Sequence, residues 1–413
     1  MRILIVTPTL PAPTNGARTR VFNLIRCLAK QHDVFVLTFI QPLEEGLIPP
    51  LSLLCKNIRL VPFQGFRWPG KWRNRLYGWL ELLFSPRPRY ATTFPVSTMR
   101  EPLQIATAEW KPDVVLLESL FLVELAVDIQ DWPVILVEYN IESDIAKRDF
   151  LNAQNAVHRF RDWLNWRKLQ LFEHSWLQKF PLCVVVSDRD AEMIRTISPT
   201  AEVYVVPNGV DCRGFQPPSN TMRYPDKLLF FGTLNYGPNV EATQWFCEKV
   251  WPMIRERRPQ LTLDIVGSSP IPQVMALGRL PGVKVVGFVP DIRPVLWTAA
   301  ACVVPLRNGG GTRLKIVEAL AAGCPVVSTT IGAEGLDLVH EEHLLIADSA
   351  EDFASAVIRL IDSPSFAQEL ADNGRQTVVQ RYDWTQITPL LEAACVRAVE
   401  LGALNKFWKT GNP

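Results

Sequence analysis

Short apolar runs, little interrupted by polar residues, recur along the chain with helix-length segments between them. In the first half they are RILIVT (2–7), DVFVLTF (33–39), IRLVPF (58–63), DVVLLES (113–119), PVILVEYN (133–140), LCVVVSD (182–188) and EVYVVPN (202–208). Strands apolar on both faces, alternating with helical stretches such as 18–31 and 142–178, predict a parallel sheet covered by helices on both sides. The pattern lapses over DCRGFQPPSNTMRYPDK (211–227), which is rich in Pro and polar turn formers. It restarts with LLFFGT (228–233), LTLDIVG (261–267), VKVVGF (283–288), ACVVPL (301–306), PVVSTT (325–330) and HLLIAD (343–348). The chain is therefore read as two α/β domains, 1–211 and 226–382, joined by a linker at 212–225. A terminal helical segment at 383–413 is expected to cross back to the first domain. Open α/β sheets bind ligands beyond the carboxyl ends of their strands. Two such domains facing each other would hold a ligand in the cleft between them.

Composition narrows the class. The 413 residues are 48% hydrophobic and 21% charged, which describes a globular protein with ample core. The net charge of +1 gives no global attraction to nucleic acid, so any basic site is local. No apolar run reaches the roughly 18 residues of a membrane-spanning helix. The N-terminal MRILIVTPTLPAP lacks the long apolar region and cleavage site of a signal peptide, and reads as a first buried strand in a cytoplasmic protein. Eight scattered cysteines without a CxxC pair read as reduced core thiols. Five histidines without paired spacing, and no Asp-x-Asp motif, give no metal site; DRD at 188–190 reads as a helix cap.

The strongest chemical signal is RNGGGTRLKIVEALAAGCPVVS (307–328). Thr312 suits a helix N-cap and Gly323 a C′ position, which predicts a helix over about 313–322. Arg313 and Lys315 oppose the dipole at its start. A bound anion would relieve that misfit. Gly309, Gly310 and Gly311 would bring backbone N–H groups close to a phosphate, and Glu318 would suit the vicinal hydroxyls of a ribose. The alternative is a glycine loop chosen for tight turning, with a solvated basic helix start.

The stretch GGGTRLKIVEALAAGCPVVSTTIGAEGL (309–336) resembles the donor-binding motif of retaining GT-B glycosyltransferases of family 4, the group 1 glycosyltransferases. So do VPNGVD (206–211), FFGTLNYGPNVEATQWF (230–246) and VKVVGFVPDI (283–292). The resemblance implies a GT-B fold of two Rossmann-like domains. It gives Glu318 the ribose and Arg313 and Lys315 the diphosphate. Gly232 and Thr312 would line the donor site, and Val289 the base, read there by backbone groups. The first glutamate of the family's E-x7-E motif is Gly310 in this chain, so the glycine loop would meet the donor sugar through backbone N–H groups. The basic residues common after the first strand of the second domain are also missing: after Gly232 none occurs before Lys249.

In the first domain Asn15 and Gly16 resemble the family's N-terminal glycine loop facing the donor phosphate and acceptor, with Arg18 and Arg20 placed to meet an acceptor phosphate. A plain βα turn with surface arginines is the other reading. Glu138 and Asn140 stand where the family often has a His, and would hydrogen-bond sugar hydroxyls; Glu142 would cap the next helix. Glu138 also reads as a satisfied supporting carboxylate.

Two segments, 66–84 and 158–180, mix Arg, Lys, Trp and Leu. They read either as core-facing Trp residues under solvated charges or as surfaces lying on a membrane. The expected activity is transfer of a sugar from a nucleotide-diphosphate donor to a hydroxyl acceptor, glycan or lipid-linked, with retention. Arg313, Lys315 and Glu138 are its catalytic candidates. No metal or other cofactor is expected, and no nucleic-acid partner. A peripheral site on the inner membrane face would suit a lipid-linked acceptor. Two rivals are a nucleotide-sugar 2-epimerase of the same architecture and a non-catalytic nucleotide-sugar-binding partner of another transferase.

Overall fold

The computed structural model describes residues 1–14, 16–63, 83–85, 87–88, 94–153, 155–309 and 312–404. By internal packing the chain forms two units. One is Met1–Pro207 together with the chain from Thr388 on; the other is Asn208–Ile387.

The first unit holds seven strands: β1 Arg2–Thr7, β2 Asp33–Ile40, β3 Asn57–Pro62, β4 Val114–Glu118, β5 Val134–Val137, β6 Leu182–Val185 and β7 Glu202–Val205. All are parallel, in the order β3-β2-β1-β4-β5-β6-β7. Ile3 pairs with Val34 on one side and Val114 on the other. The central strands are buried end to end, as continuous Val/Ile/Leu runs require of a sheet covered on both faces.

The second unit repeats the design with β8 Tyr224–Phe231, β9 Thr262–Val266, β10 Val283–Gly287, β11 Ala299–Val304, β12 Val326–Ser328 and β13 Leu345–Ile346. These too are all parallel, in the order β10-β9-β8-β11-β12-β13. Each unit has its own apolar core. In each sheet the strand order reverses once, between β1 and β4 and between β8 and β11. The carboxyl ends of those strands are where such sheets take ligands.

Local details depart from the sequence expectations. The segment 142–178 is two helices, Glu142–Asn152 and Ala156–Leu177. Asn155 caps the second, its side chain accepting from His158 N at 2.8 Å. Glu142 is not a cap: it occupies the first turn after Ile141, which makes no side-chain cap bond. The Asp188–Ile197 helix is capped by Ser187, which accepts from Asp190 N, rather than by the DRD run itself. All eight cysteines are free thiols, six of them buried. Of the basic, Trp-rich segment 66–84, residues 66–82 lie outside the described residues.

The last helix, Trp384–Leu404, starts in the second unit, where Trp384 and Ile387 close on Gly209. Its later residues belong to the first unit. There Arg397 forks onto Glu202 at 2.6 and 2.8 Å, and His32 Nε2 lies 3.2 Å from Glu392.

Candidate functional site

In the second unit the site grows from the ends of β8 and β11. β8 runs into Gly232, whose φ of +152° belongs to glycine and whose N–H donates to Val266 O at 3.0 Å. A Cβ there would lie 2.8 Å from Asn239 Nδ2 and 3.0 Å from Lys315 Nζ. Asn239 sits in the first turn of the Gly237–Trp245 helix, buried. Its Nδ2 donates to Thr233 O at 2.9 Å and its Oδ1 accepts from Lys315 Nζ at 2.8 Å. The same ammonium lies 4.6 Å from the centre of the Phe230 ring. Burial pulls the Lys315 pKa down to about 7. Glu318, one turn on, is pushed up to about 7 by burial, against the pull of Lys315.

β11 leads through Leu306 to Asn308, whose Oδ1 accepts from Gly309 N at 2.7 Å. Gly309 has φ +120°, and a Cβ on it would stand 3.1 Å from Arg313 Nη2. Gly310 and Gly311 lie outside the described residues. The helix is Leu314–Ala321, shorter than 313–322. Thr312 is not its cap. Arg313 holds the N-cap position in extended conformation without a side-chain cap bond, and the buried Thr312 hydroxyl accepts from Asn208 Nδ2 at 2.6 Å. With Asn208 that close, the hydroxyl's lone pairs serve the loop instead of the helix. Gly323 ends the helix as expected, at φ +66°, with Gly323 N bonded to Leu320 O and Cys324 N to Ala319 O. Val289 is half-buried beyond the end of β10, next to the exposed Phe288.

Gly232, Gly309, Arg313, Lys315 and Glu318 thus belong to one strand-end region. Lys315 sits deeper than a solvated helix-start lysine, held by Asn239. Sequence reading missed Asn239 and Asn208. The signal for the first was an Asn just inside a Pro-started helix directly after the Gly232 loop.

In the first unit Asn15 lies outside the described residues. Gly16 opens the Gly16–Leu28 helix, exposed, and a Cβ there would meet nothing within 4 Å. Arg18 is paired with Glu44. The acceptor-phosphate expectation for Arg20 is overturned. It is 1% exposed, and its guanidinium donates to Pro207 O at 2.6 Å and Val206 O at 2.7 Å, beneath the Tyr139 ring. Position 20 lies on the buried side of its helix, which sequence spacing alone did not reveal.

The ends of β4 and β5 carry a buried acidic group. Glu118 accepts from the Tyr139 hydroxyl and faces Arg20. Glu138 is 5% exposed, and its Oε1 has no hydrogen-bond partner among the described residues. Burial first, then the charges of Glu173 and Glu142, push its pKa well up; the Leu120 N–H works the other way. Glu142, bonded to Asn140, and Glu173, which accepts from Ser143 N at 3.0 Å, are each raised to about 7 by burial. Asn140 is therefore committed at least partly to Glu142.

Comparison with known proteins agrees with this architecture. Residues 14–213 match the family described as Glycosyltransferase Family 4, and residues 225–363 match Glycosyl transferases group 1. A glycogen synthase of Mycobacterium tuberculosis is 25% identical over 94% of this chain and 92% of its own. Sucrose-phosphate synthase from Thermosynechococcus elongatus superposes with a TM-score of 0.73 at 18% identity, covering 98% of this chain and all of that one. Anabaena HepE, solved in complex with UDP-glucose, superposes with a TM-score of 0.65 at 14% identity, covering 95% of this chain and 98% of its own. With two doubly wound parallel sheets of the GT-B kind, and the two family patterns following one another along the chain, the protein belongs to the group 1, family 4 glycosyltransferases.

Proposed function

We propose that this glycosyltransferase takes its sugar from a nucleotide-diphosphate donor and passes it, with retention of configuration, to a hydroxyl of a glycan or lipid-linked acceptor. The observation that carries the donor reading is Lys315. Its ammonium is held by Asn239 at the end of β8, against the bare Cα of Gly232. A diphosphate placed there would meet Lys315, Arg313 and the glycine-loop N–H groups. Lys315, held by Asn239, is set before charge develops on the leaving group, which is the form of stabilisation that lowers a barrier. Glu318 would take the ribose hydroxyls, and backbone groups beside Val289 the base. That HepE has been solved with UDP-glucose supports a nucleotide-sugar donor here.

In the step itself the bond from anomeric carbon to phosphate oxygen breaks, and a bond to the acceptor oxygen forms on the same face. The acceptor proton passes to the departing phosphate oxygen. Glu138, buried and with its pKa pushed well up by that burial, would hydrogen-bond a sugar hydroxyl rather than act as a nucleophile. Two protein cations would neutralise the diphosphate without a metal. A cytoplasmic place at the inner membrane face would suit a lipid-linked acceptor.

The test is a thermal-shift screen against UDP-, GDP-, ADP- and dTDP-sugars without added metal, run beside Glu318→Ala. A donor at 100 times its Kd adds about 2.7 kcal/mol of stability. One nucleotide stabilising the wild type and not the variant is the expected result. No stabilisation of a folded protein by any of them sinks the donor reading.

A further inference from the structure

The Glu142–Asn152 and Ala156–Leu177 helices form a hairpin whose turn exposes an unusual set of side chains. Leu151 is 60% exposed, Val157 62%, Phe160 49% and Trp163 41%. The hairpin arms are joined beneath them by the Phe150–Trp166 stack, with centroids 5.6 Å apart. Three exposed cations lie against these rings: Arg159 at 5.4 Å from Phe150, and Lys147 and Arg167 each at 5.8 Å from Trp166. Lys168 on the same helix donates to Ser85 O at 2.5 Å, which brings the exposed Phe84 alongside.

The acids of the hairpin do not cancel this charge at the surface. Asp144 is taken by Arg148 and Arg189, and Asp162 by Arg161. Glu173 is buried and Glu142 is desolvated among the carboxyls of the inner site. Asp149 is exposed, a single acid beside the three exposed cations. What faces outward is therefore apolar at its centre and cationic at its rim.

We propose that the turn of this hairpin docks on an anionic lipid bilayer, with Leu151, Val157, Phe160 and Trp163 entering the headgroup boundary and Lys147, Arg159 and Arg167 meeting lipid phosphates. This gives a surface to the membrane part of the reading above and is independent of the donor chemistry. A bilayer fits better than a protein partner for two reasons. The apolar side chains stand on a helical turn, not in a groove that would shape a complementary peptide. Aromatic and Leu side chains interleaved with Arg and Lys are the composition that settles at a headgroup boundary. Among the described residues no helix is long and apolar enough to cross the membrane, so docking of this kind would be peripheral.

Flotation of the full chain with phosphatidylcholine vesicles, with and without phosphatidylglycerol, tests the proposal. The wild type should float with the anionic vesicles at low salt and be released as salt rises. Phe160→Ser with Trp163→Ser should weaken flotation about tenfold or more. Arg159→Glu should weaken it by more than about fivefold, since the swap removes one attracted cation and adds a repelled anion. Melting temperatures of the variants and their response to the nucleotide-sugar selected by the thermal-shift screen show whether the fold and donor site survive. Failure of the wild type to float, or equal flotation of folded variants, overturns the docking surface and leaves the donor reading untouched. Self-association of the wild type that the serine variant abolishes, without flotation, would assign the face to a second copy and also overturn it.

Discussion

Lys315 Nζ donates to Asn239 Oδ1 at 2.8 Å, and the two side chains together fill the space that a Cβ on Gly232 would need. A strand end, a helix first turn and the glycine-loop helix are thereby tied to one ammonium. Replacing Lys315 by Met keeps most of the volume and removes the charge. Donor affinity is expected to fall about thirtyfold, the worth of about 2 kcal/mol for a charged hydrogen bond. Calorimetric titration with the nucleotide diphosphate checks this; a Kd within about twofold of wild type would sink it.

On the proposed reading, the same lysine would make donor binding proton-linked. Burial brings its pKa to about 7 in the free protein, so near pH 8 much of it is neutral. A diphosphate there would favour the charged form, so binding at that pH is expected to draw a proton from solution and to weaken as pH climbs further. Titrations in two buffers of different ionisation enthalpy should show proton uptake. Identical apparent enthalpies would show that Lys315 does not change charge.

Gly232→Ala puts a methyl group 2.8 Å from Asn239 Nδ2 at a backbone angle of +152°. The expected loss is about 1–3 kcal/mol of stability, together with donor binding. A variant that melts and binds like the wild type would remove Gly232 from the site.

Glu173 titrates in the opposite sense from a salt-bridged carboxylate. Its folded pKa of about 7 lies above the usual 4.5, so the folded state holds the extra proton between those values. Stability is therefore highest at the acid end of that window and falls as pH rises towards 7, by about 3 kcal/mol for this group alone. Glu173→Gln keeps an acceptor for Ser143 N and should be more stable than the wild type at pH 8 and little changed at pH 5. Denaturant midpoints at the two pH values decide it; an unchanged difference between them refutes the assignment.

Arg20→Leu leaves Glu118 buried without its cation and the carbonyls of Val206 and Pro207 without their donor. A loss of about 3–5 kcal/mol is expected. A melting temperature equal to wild type would mean that the guanidinium contributes nothing net.

The strands were legible because a doubly covered parallel sheet leaves no polar face. Val114–Val115–Leu116–Leu117 in β4 and Cys302–Val303–Val304 in β11 needed only their own composition to be recognised. The Gly323 end of the glycine-loop helix was legible too, since a helix followed by Gly and then Pro two residues on has few other ways to stop. The rest depended on partners distant in sequence. Thr312 looks like a cap until Asn208, 104 positions away, takes its hydroxyl. Arg20 looks like a surface arginine until the end of β7 arrives beside it. Glu118, Glu138 and Glu173 come from separate elements, and only the parallel stacking of β4 beside β5, with the long Ala156–Leu177 helix packed nearby, makes them neighbours.

The shared terminal helix has a consequence for how the protein is made. His32 waits for Glu392, and Glu202 for Arg397. Synthesis delivers the first unit's sheet early but its last helix only after the whole second unit has been translated. The N-terminal half therefore leaves the ribosome with the amino ends of its strands uncovered by this helix, and its final closure follows the translation of the unit encoded after it.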